Sequence, residues 1–77
     1  KTLDIKNSKK QNTILVEIYK DINLAKLKTN KIKNLGLFYE ENAEGVMVFA
    51  GPFLKSDINL KLDFLIKNGY LNAKKTP

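Results

Sequence analysis

The sequence predicts an α+β fold in which two helices cover one face of a four-stranded antiparallel sheet. Two observations carry this prediction. Apolar residues alternate with a period of two along two segments and recur at helical spacing along two others. A glycine follows each helical segment, at Gly36 and Gly69, where a left-handed backbone conformation ends many helices. In chain order the segments give β-α-β-β-α-β.

The composition limits the classes of function. The chain has 77 residues, enough for one small domain, and without cysteine or histidine it lacks disulfides, thiol nucleophiles, imidazole bases and the usual zinc ligands. No run approaches the roughly 18 apolar residues of a membrane-spanning helix. All 14 basic residues are lysines, which lack the two-pronged contact of arginine with phosphate or guanine, although the net charge of +6 favours long-range attraction to anionic polymers. We therefore expect no specific nucleic acid partner, no cofactor and no membrane segment in this sequence.

The first twelve residues differ in composition from the strand that follows them. Residues 1–12 are polar, with Leu3 and Ile5 as their only apolar side chains, which indicates a linker or arm before a domain over residues 13–77. From Thr13 the side chains alternate, so a strand with one buried and one open face is predicted. The buried face is expected to carry Ile14, Val16 and Ile18, and the open face Leu15, Glu17 and Tyr19.

A helix over residues 21–36 and a hairpin come next. Asp21 is predicted to cap the helix, whose buried stripe comprises Ile22, Ala25, Thr29, Ile32 and Leu35. Strands over residues 37–41 and 45–50 flank a turn. In the second of these strands, alternation directs Val46, Val48 and Ala50 towards the helices and Met47 and Phe49 towards the open face.

The second helix follows a break at Gly51-Pro52. Ser56 or Asp57 caps it, and its core stripe is expected to comprise Ile58, Leu62, Leu65 and Ile66. Residues 70–74 are predicted as the last strand. Right-handed crossovers then place the strands in the order 4-1-3-2 with both helices on one face, as in ferredoxin-like and RNP-like two-layer sandwiches. The opposite face of the sheet is left open as a candidate binding surface.

The second half of the chain resembles a SPOR (sporulation-related repeat) domain. Three features carry the resemblance: the residues VMVFAGPF at positions 46–53, a capped helix with apolar residues at 58, 62 and 65, and KNGY at positions 67–70. Residues 14–37 look like a degenerate first half, so the resemblance covers about residues 13–75.

The resemblance implies a non-catalytic module that binds peptidoglycan glycan strands without stem peptides and so targets its parent protein to the bacterial division septum. The parent is then expected to be a membrane-anchored or secreted protein of the periplasm or cell envelope, such as a division factor, an amidase or a lytic transglycosylase. Because the sequence starts at Lys1 rather than Met, a fragment of that parent is expected.

The family's contact positions can be carried onto this sequence. Its first-strand glutamine falls at Glu17, the small residues after it at Tyr19 and Lys20, and its glycine-proline pair at Gly51 and Pro52. Its third-strand contacts fall near Gly45 and Met47, and its fourth-strand contact near Lys74. The first strand departs from the family's pattern, which leaves open a domain with altered or lost glycan binding.

The open face also suits a sugar on chemical grounds, because a sugar ring packs on a flat apolar surface and exchanges hydrogen bonds with polar side chains. The expected apolar contacts are Leu15, Tyr19, Met47, Phe49 and Phe38, and the expected polar ones are Glu17 and Asn72. Lys20 and Lys74 would attract the carboxylate of peptide-free muramic acid, and Glu17 would oppose it. The alternative is that Tyr19 and Phe49 are ordinary cross-strand stabilisers.

No catalytic or metal site is expected. Glu40, Glu41 and Glu44 fit a solvated turn better than a metal-binding loop, which needs tighter ligand spacing. Ser56 is predicted to be a helix cap rather than a nucleophile, because the chain has no histidine to serve as its base. The sequence therefore predicts a binding module and not an enzyme.

Leu60 and Phe64 lie off the core stripe of the second helix, four residues apart. Either they contact a protein partner or a second copy, or Leu3 and Ile5 of the arm cover them. A structural or protein-interaction domain of an envelope enzyme is thus the first alternative function. An RNA-binding sheet of the same topology is the second, although its K/R-G-F/Y-G/A-F-V-x-F/Y signature is missing from the third strand.

Overall fold

The computed structural model describes residues 12–76, which form the predicted two-layer α+β domain. The strands are β1 (Ile14–Tyr19), β2 (Leu37–Asn42), β3 (Gly45–Ala50) and β4 (Lys74–Lys75), and the helices are α1 (Ile22–Lys28), a 3₁₀ helix (Asn30–Leu35) and α2 (Ile58–Lys67). The sheet is antiparallel in the order β2-β3-β1-β4, which is the predicted order read from the other edge. The predicted arm, with Leu3 and Ile5, lies outside the described residues except for Asn12.

The hydrophobic core lies between the sheet and the helices. Its buried members from the strands are Ile14, Val16, Val46, Val48 and Ala50, and those from the rest of the chain are Ala25, Ile32, Ile58, Leu65, Tyr70 and Ala73. The alternation predicted for β3 is confirmed, since every second residue from Val46 is buried and the residues between them are half-buried. No helix of residues 12–76 covers the other face of the sheet.

Both ends of the first helical segment behave as predicted. The Asp21 carboxylate accepts a hydrogen bond from the backbone N–H of Leu24 at 2.8 Å, which satisfies one of the free donors at the start of α1. Gly36 ends the segment with φ 76° and ψ 54°, in the left-handed region.

The prediction of one continuous helix over residues 21–36 is wrong, because the helix is divided at Thr29. The Thr29 hydroxyl donates to the carbonyl oxygen of Ala25 at 2.7 Å and lies 3.1 Å from the hydroxyl of Tyr39. A β-branched side chain that is bonded to the preceding turn weakens the α-helical continuation, and the chain proceeds as a 3₁₀ helix. Thr29 and Ile32 are nevertheless buried, as predicted.

A β-bulge interrupts the pairing of β1 with β3. Leu15 lies opposite Phe49, and Glu17 lies opposite the adjacent residue, Val48. Val16 is therefore an additional residue in β1 with no partner of its own, as a bulge requires.

The bulge moves every later side chain of β1 to the other face of the sheet. Ile18 lies opposite Met47 on the open face and is 39% exposed, whereas Tyr19 lies opposite Val46 and packs against the core. The prediction that Ile18 is buried is therefore wrong, and so is the prediction that Glu17 and Tyr19 belong to the open face, because Glu17 lies opposite the buried Val48.

The core stripe of α2 is confirmed except at its end. Ile58 and Leu65 are buried and Leu62 packs against the core, but Ile66 is 39% exposed and does not belong to it. Asp57 and not Ser56 occupies the N-cap position, and it makes no side-chain capping bond, so the predicted cap at Ser56 is wrong.

The last strand is shorter than predicted, because the chain turns between Tyr70 and Ala73. The backbone N–H of Ala73 donates to the carbonyl oxygen of Tyr70 at 3.1 Å, and the Tyr70 hydroxyl donates to the carbonyl oxygen of Lys28 at 2.7 Å. Tyr70 is thereby held against α1, and β4 pairs only with Ile14 and Leu15 of β1.

Candidate functional site

One side chain from each of the four strands forms a row across the open face. Lys74 pairs with Leu15, Leu15 pairs with Phe49, and Phe49 pairs with Phe38. With neighbouring strands about 4.8 Å apart, the row is about 14 Å long. It is apolar over three positions and ends in an ammonium group at β4.

The two phenylalanines at the β2 end of the row are stacked. The ring centroids of Phe38 and Phe49 are 5.1 Å apart and the ring planes are 16° from parallel, and 41% of Phe38 is exposed. The pair forms an apolar and partly hydrated patch on this face of the sheet.

A second row lies beside the first, two residues away on β2 and β3 and three residues away on β1, where the bulge adds one residue. It comprises Ile18, Met47 and Glu40 on β1, β3 and β2, respectively. The Met47 sulfur accepts a hydrogen bond from the side-chain amide of Asn42 at 2.9 Å, which fixes the thioether on this face. The apolar members of the two rows are called the apolar platform below: Leu15, Ile18, Phe38, Met47 and Phe49.

Polar groups border the platform at the edge of β1. The Asn72 amide donates to one carboxylate oxygen of Glu17 at 2.9 Å, and the backbone N–H of Ile18 donates to the other at 3.1 Å. Glu17 and Asn72 line a cleft of about 400 Å³ with Leu15, Ile18 and Lys74. Most of the polar site predicted from sequence is thus assembled here, with Asn72 in a turn rather than in a strand.

Two predicted site residues lie elsewhere. Tyr19 is on the helix side of the sheet. Lys20 follows the last residue of β1, at the opposite end from Lys74, and lines a cleft with Asp21 and Glu41. Carboxylates beside Lys20 reduce its attraction for an anionic ligand.

Ile18 is the platform residue that the sequence analysis missed. Its place on the open face depends on the bulge at Val16, and the run ILVEIY contains no glycine or other signal of a bulge. Strict alternation of side chains along the strand assigns Ile18 to the core.

Tyr19 has an unusual electrostatic environment on the helix side. Burial is the main cause that raises its pKa from 10.0 to about 12, and the neighbouring Tyr70, Glu17 and Tyr39 raise it further. Tyr19 is therefore neutral at physiological pH, and its hydroxyl can donate a hydrogen bond.

A second surface lies on α2. Leu60 and Phe64 are 70% and 46% exposed, which confirms that they point away from the core. They line a groove of about 400 Å³ together with Leu35 of the 3₁₀ helix and the polar side chains of Asn34, Asp57 and Lys61.

Residues 12–76 contain neither a cluster of metal ligands nor a membrane-spanning helix. No group of three or more histidine, cysteine, aspartate or glutamate side chains there has the arrangement needed to hold a metal ion. No helix in the same part of the chain is long and apolar enough to cross a membrane.

Comparison of the chain with protein-family models, with curated proteins and with solved structures found no match.

Proposed function

We propose that this domain is a non-catalytic module that binds carbohydrate through the apolar platform, and that its ligand is the peptide-free glycan strand of bacterial peptidoglycan. The observation that carries the proposal is the row from Lys74 through Leu15 and Phe49 to Phe38, on the sheet face that no helix of residues 12–76 covers. The resemblance to SPOR domains supports the same ligand. On this proposal the module concentrates its parent envelope protein at the division septum.

The platform suits the apolar face of a pyranose ring. The C–H groups of a sugar pack on hydrophobic surfaces, and Phe38 and Phe49 supply apolar contact area beside Leu15. The sugar hydroxyls need hydrogen-bonding partners, which Asn72 and Glu17 offer at the edge of β1.

The charges around the platform suit a ligand that carries a carboxylate. Lys74 ends the first row, where its ammonium group meets the carboxylate of a peptide-free muramic acid. Glu17 has the opposite effect, but both of its oxygens accept hydrogen bonds at the edge of β1. Its negative charge is thereby held away from the centre of the platform.

Nucleic acid is disfavoured by the same charges. The two rows of the open face carry one lysine, Lys74, and one glutamate, Glu40, so they supply no net positive charge for phosphates. A gel-shift titration across salt concentrations should therefore show weak, non-specific binding only. Sequence-dependent binding of RNA that persists at high salt would contradict this expectation.

Co-sedimentation with amidase-treated sacculi tests the proposal. Phe49→Ala and Phe38→Ala should each weaken binding about threefold to tenfold, because each removes a ring from the apolar surface that contacts the sugar, a loss of roughly 1 kcal/mol. Phe64→Ala is the matched control, since it removes an exposed phenylalanine from the other layer of the domain. Equal binding by Phe49→Ala, Phe38→Ala and Phe64→Ala would show that the apolar platform does not bind the glycan.

A second candidate function is protein interaction through the groove on α2. It is favoured by one observation, the exposure of Leu60 and Phe64 side by side on a helix whose other stripe is buried. Sedimentation velocity at rising protein concentration tests whether the partner is a second copy of this chain. Self-association that Leu60→Glu abolishes would support it, and a monomer at every concentration would exclude it.

A further inference from the structure

A second cleft lies at the edge of β1, on the side where β4 begins late. Because β4 pairs only with Ile14 and Leu15, the following part of β1 faces a cleft of about 480 Å³ instead of a strand. This β1-edge cleft is lined mainly by Glu17, Tyr19, Lys28, Lys31, Asn68 and Tyr70.

We propose that the β1-edge cleft is a binding site for the carboxylate of an acidic sugar, and that it holds one residue of the glycan strand that lies on the apolar platform. The second part rests on the proposed function. Glu17 and Ile18 line both this cleft and the one beside Leu15 and Lys74, so the two clefts meet at the edge of β1. A single chain of sugar residues can therefore contact both.

Two lysines give the cleft its affinity for an anion. The Lys31 ammonium donates to the carbonyl oxygen of Asn68 at 3.0 Å and lies 5.4 Å from the centroid of the Tyr70 ring. These contacts fix the ammonium at the cleft, and one hydrogen bond leaves two of its N–H donors for a ligand. Lys28 adds a second positive charge against the single negative charge of Glu17.

Tyr19 adds a neutral donor. Its hydroxyl has no hydrogen-bond partner within residues 12–76, whereas those of Tyr39 and Tyr70 are both bonded. Because its pKa is about 12, the hydroxyl keeps its proton at physiological pH and adds no negative charge. It can donate to a carboxylate or to a sugar oxygen.

The edge of β1 is poorly suited to an extended peptide, which is the other ligand that a free strand edge attracts. The backbone N–H of Ile18 already donates to the Glu17 carboxylate at 3.1 Å, and Asn72 holds that carboxylate in place. An added strand would have to displace this bond. The occupied donor favours a compact anionic ligand.

Titration of the ¹⁵N-labelled protein with N-acetylmuramic acid, followed by amide chemical shifts, tests the proposal. The amides of Lys31, Asn68 and Gly69 should shift, and neutral N-acetylglucosamine and sodium acetate should leave them unchanged. Equal shifts with acetate would show an adventitious anion site and overturn the proposal, as would the absence of shifts with N-acetylmuramic acid.

Matched lysine variants locate the site. Lys28→Gln with Lys31→Gln should weaken binding of N-acetylmuramic acid at least about fivefold, because two charge-assisted contacts are lost. Lys26→Gln with Lys33→Gln removes the same charge from exposed positions that do not line the cleft and should change the affinity less than about twofold. Lys28→Arg with Lys31→Arg should retain binding. Equal loss in both glutamine pairs would assign the effect to net charge and contradict the cleft.

Sacculus binding by Phe49→Ala and the titration with N-acetylmuramic acid together distinguish this site from the platform. If Phe49→Ala leaves sacculus binding unchanged while N-acetylmuramic acid still shifts the cleft amides, the proposed platform fails and the cleft stands. If sacculus binding depends on Phe49 but N-acetylmuramic acid shifts no cleft amide, the cleft fails and the platform stands.

Discussion

Phe38 and Phe49 lie directly opposite each other on β2 and β3, with ring centroids 5.1 Å apart. β2 is an edge strand, so it has pairing contacts on one side only. The stacked pair on the open face therefore stabilises the edge strand β2, and the same two rings form part of the apolar platform. Packing and binding depend on the same two rings.

The first prediction concerns the energy of this pair. A double-mutant cycle of Phe38→Leu and Phe49→Leu, measured by urea denaturation, should give a coupling energy of about 0.5–1.5 kcal/mol. Each single variant keeps an apolar side chain, so burial changes little and the coupling reports the ring contact. Additive effects, with a coupling near zero, would show that the rings stack without mutual stabilisation.

The second prediction concerns Gly45, which begins β3 beside the end of β1. Its φ is 137°, and a β-carbon there would collide with the carbonyl oxygen of Tyr19. Gly45→Ala should therefore lower the free energy of unfolding by about 2 kcal/mol or more, since it adds a backbone clash to an unfavourable φ.

Gly69→Ala is the control for that measurement. Gly69 also has a positive φ, 99°, but no atom lies within 4 Å of the position that its β-carbon would take. Its substitution should cost about 1 kcal/mol, from backbone strain alone. Equal losses in urea denaturation would contradict the packing of β1 against the start of β3.

The strand order and most of the core follow from local patterns in the sequence. In β3 every second residue is apolar and buried, so periodicity alone identified Met47 and Phe49 as open-face residues. Asp21 and Gly36 bracket the first helical segment with side-chain and backbone preferences that act within a few residues. Such signals depend on neighbours in sequence and can be recognised without a fold.

The features that escaped prediction depend on contacts between distant residues. The bulge at Val16 follows from the register of β1 against β3, and it exchanges the faces of Ile18 and Tyr19. The late start of β4 accompanies the turn from Tyr70 to Ala73 and the hydrogen bond from the Tyr70 hydroxyl to the carbonyl oxygen of Lys28, 42 residues away. The β1-edge cleft lies where β4 is missing, and its residues form no motif that the sequence reveals.

The third prediction tests that bond. Tyr70→Phe removes the hydroxyl that donates to the carbonyl oxygen of Lys28 at 2.7 Å and should lower the free energy of unfolding by about 0.5–1.5 kcal/mol. Tyr19→Phe is the matched control, because the Tyr19 hydroxyl has no hydrogen-bond partner within residues 12–76, and its effect at neutral pH should be below about 0.5 kcal/mol. Thermal or urea denaturation measures both variants. Similar values for the two would mean that the hydroxyl of Tyr70 contributes no net stability.

The fourth prediction follows from the raised pKa of Tyr19. Burial, followed by the nearby Tyr70, Glu17 and Tyr39, raises this pKa from 10.0 to about 12. Between these two values the folded protein keeps a proton that the unfolded chain has released, so the free energy of unfolding is retained below pH 10 and falls as the pH rises towards 12. The pKa of Tyr70, also raised by burial, acts in the same direction.

Urea denaturation of the wild type and of Tyr19→Phe across this range separates the contribution of Tyr19 from that of the other groups. The variant has no phenol at position 19 to ionise, so its stability should decline less steeply than that of the wild type above pH 10. The difference in phenolate absorbance between the two proteins should have its midpoint near pH 12. Parallel pH profiles of the two proteins, or a midpoint near pH 10, would show that the Tyr19 phenol is hydrated. The β1-edge cleft would then lack a neutral tyrosine donor above pH 10.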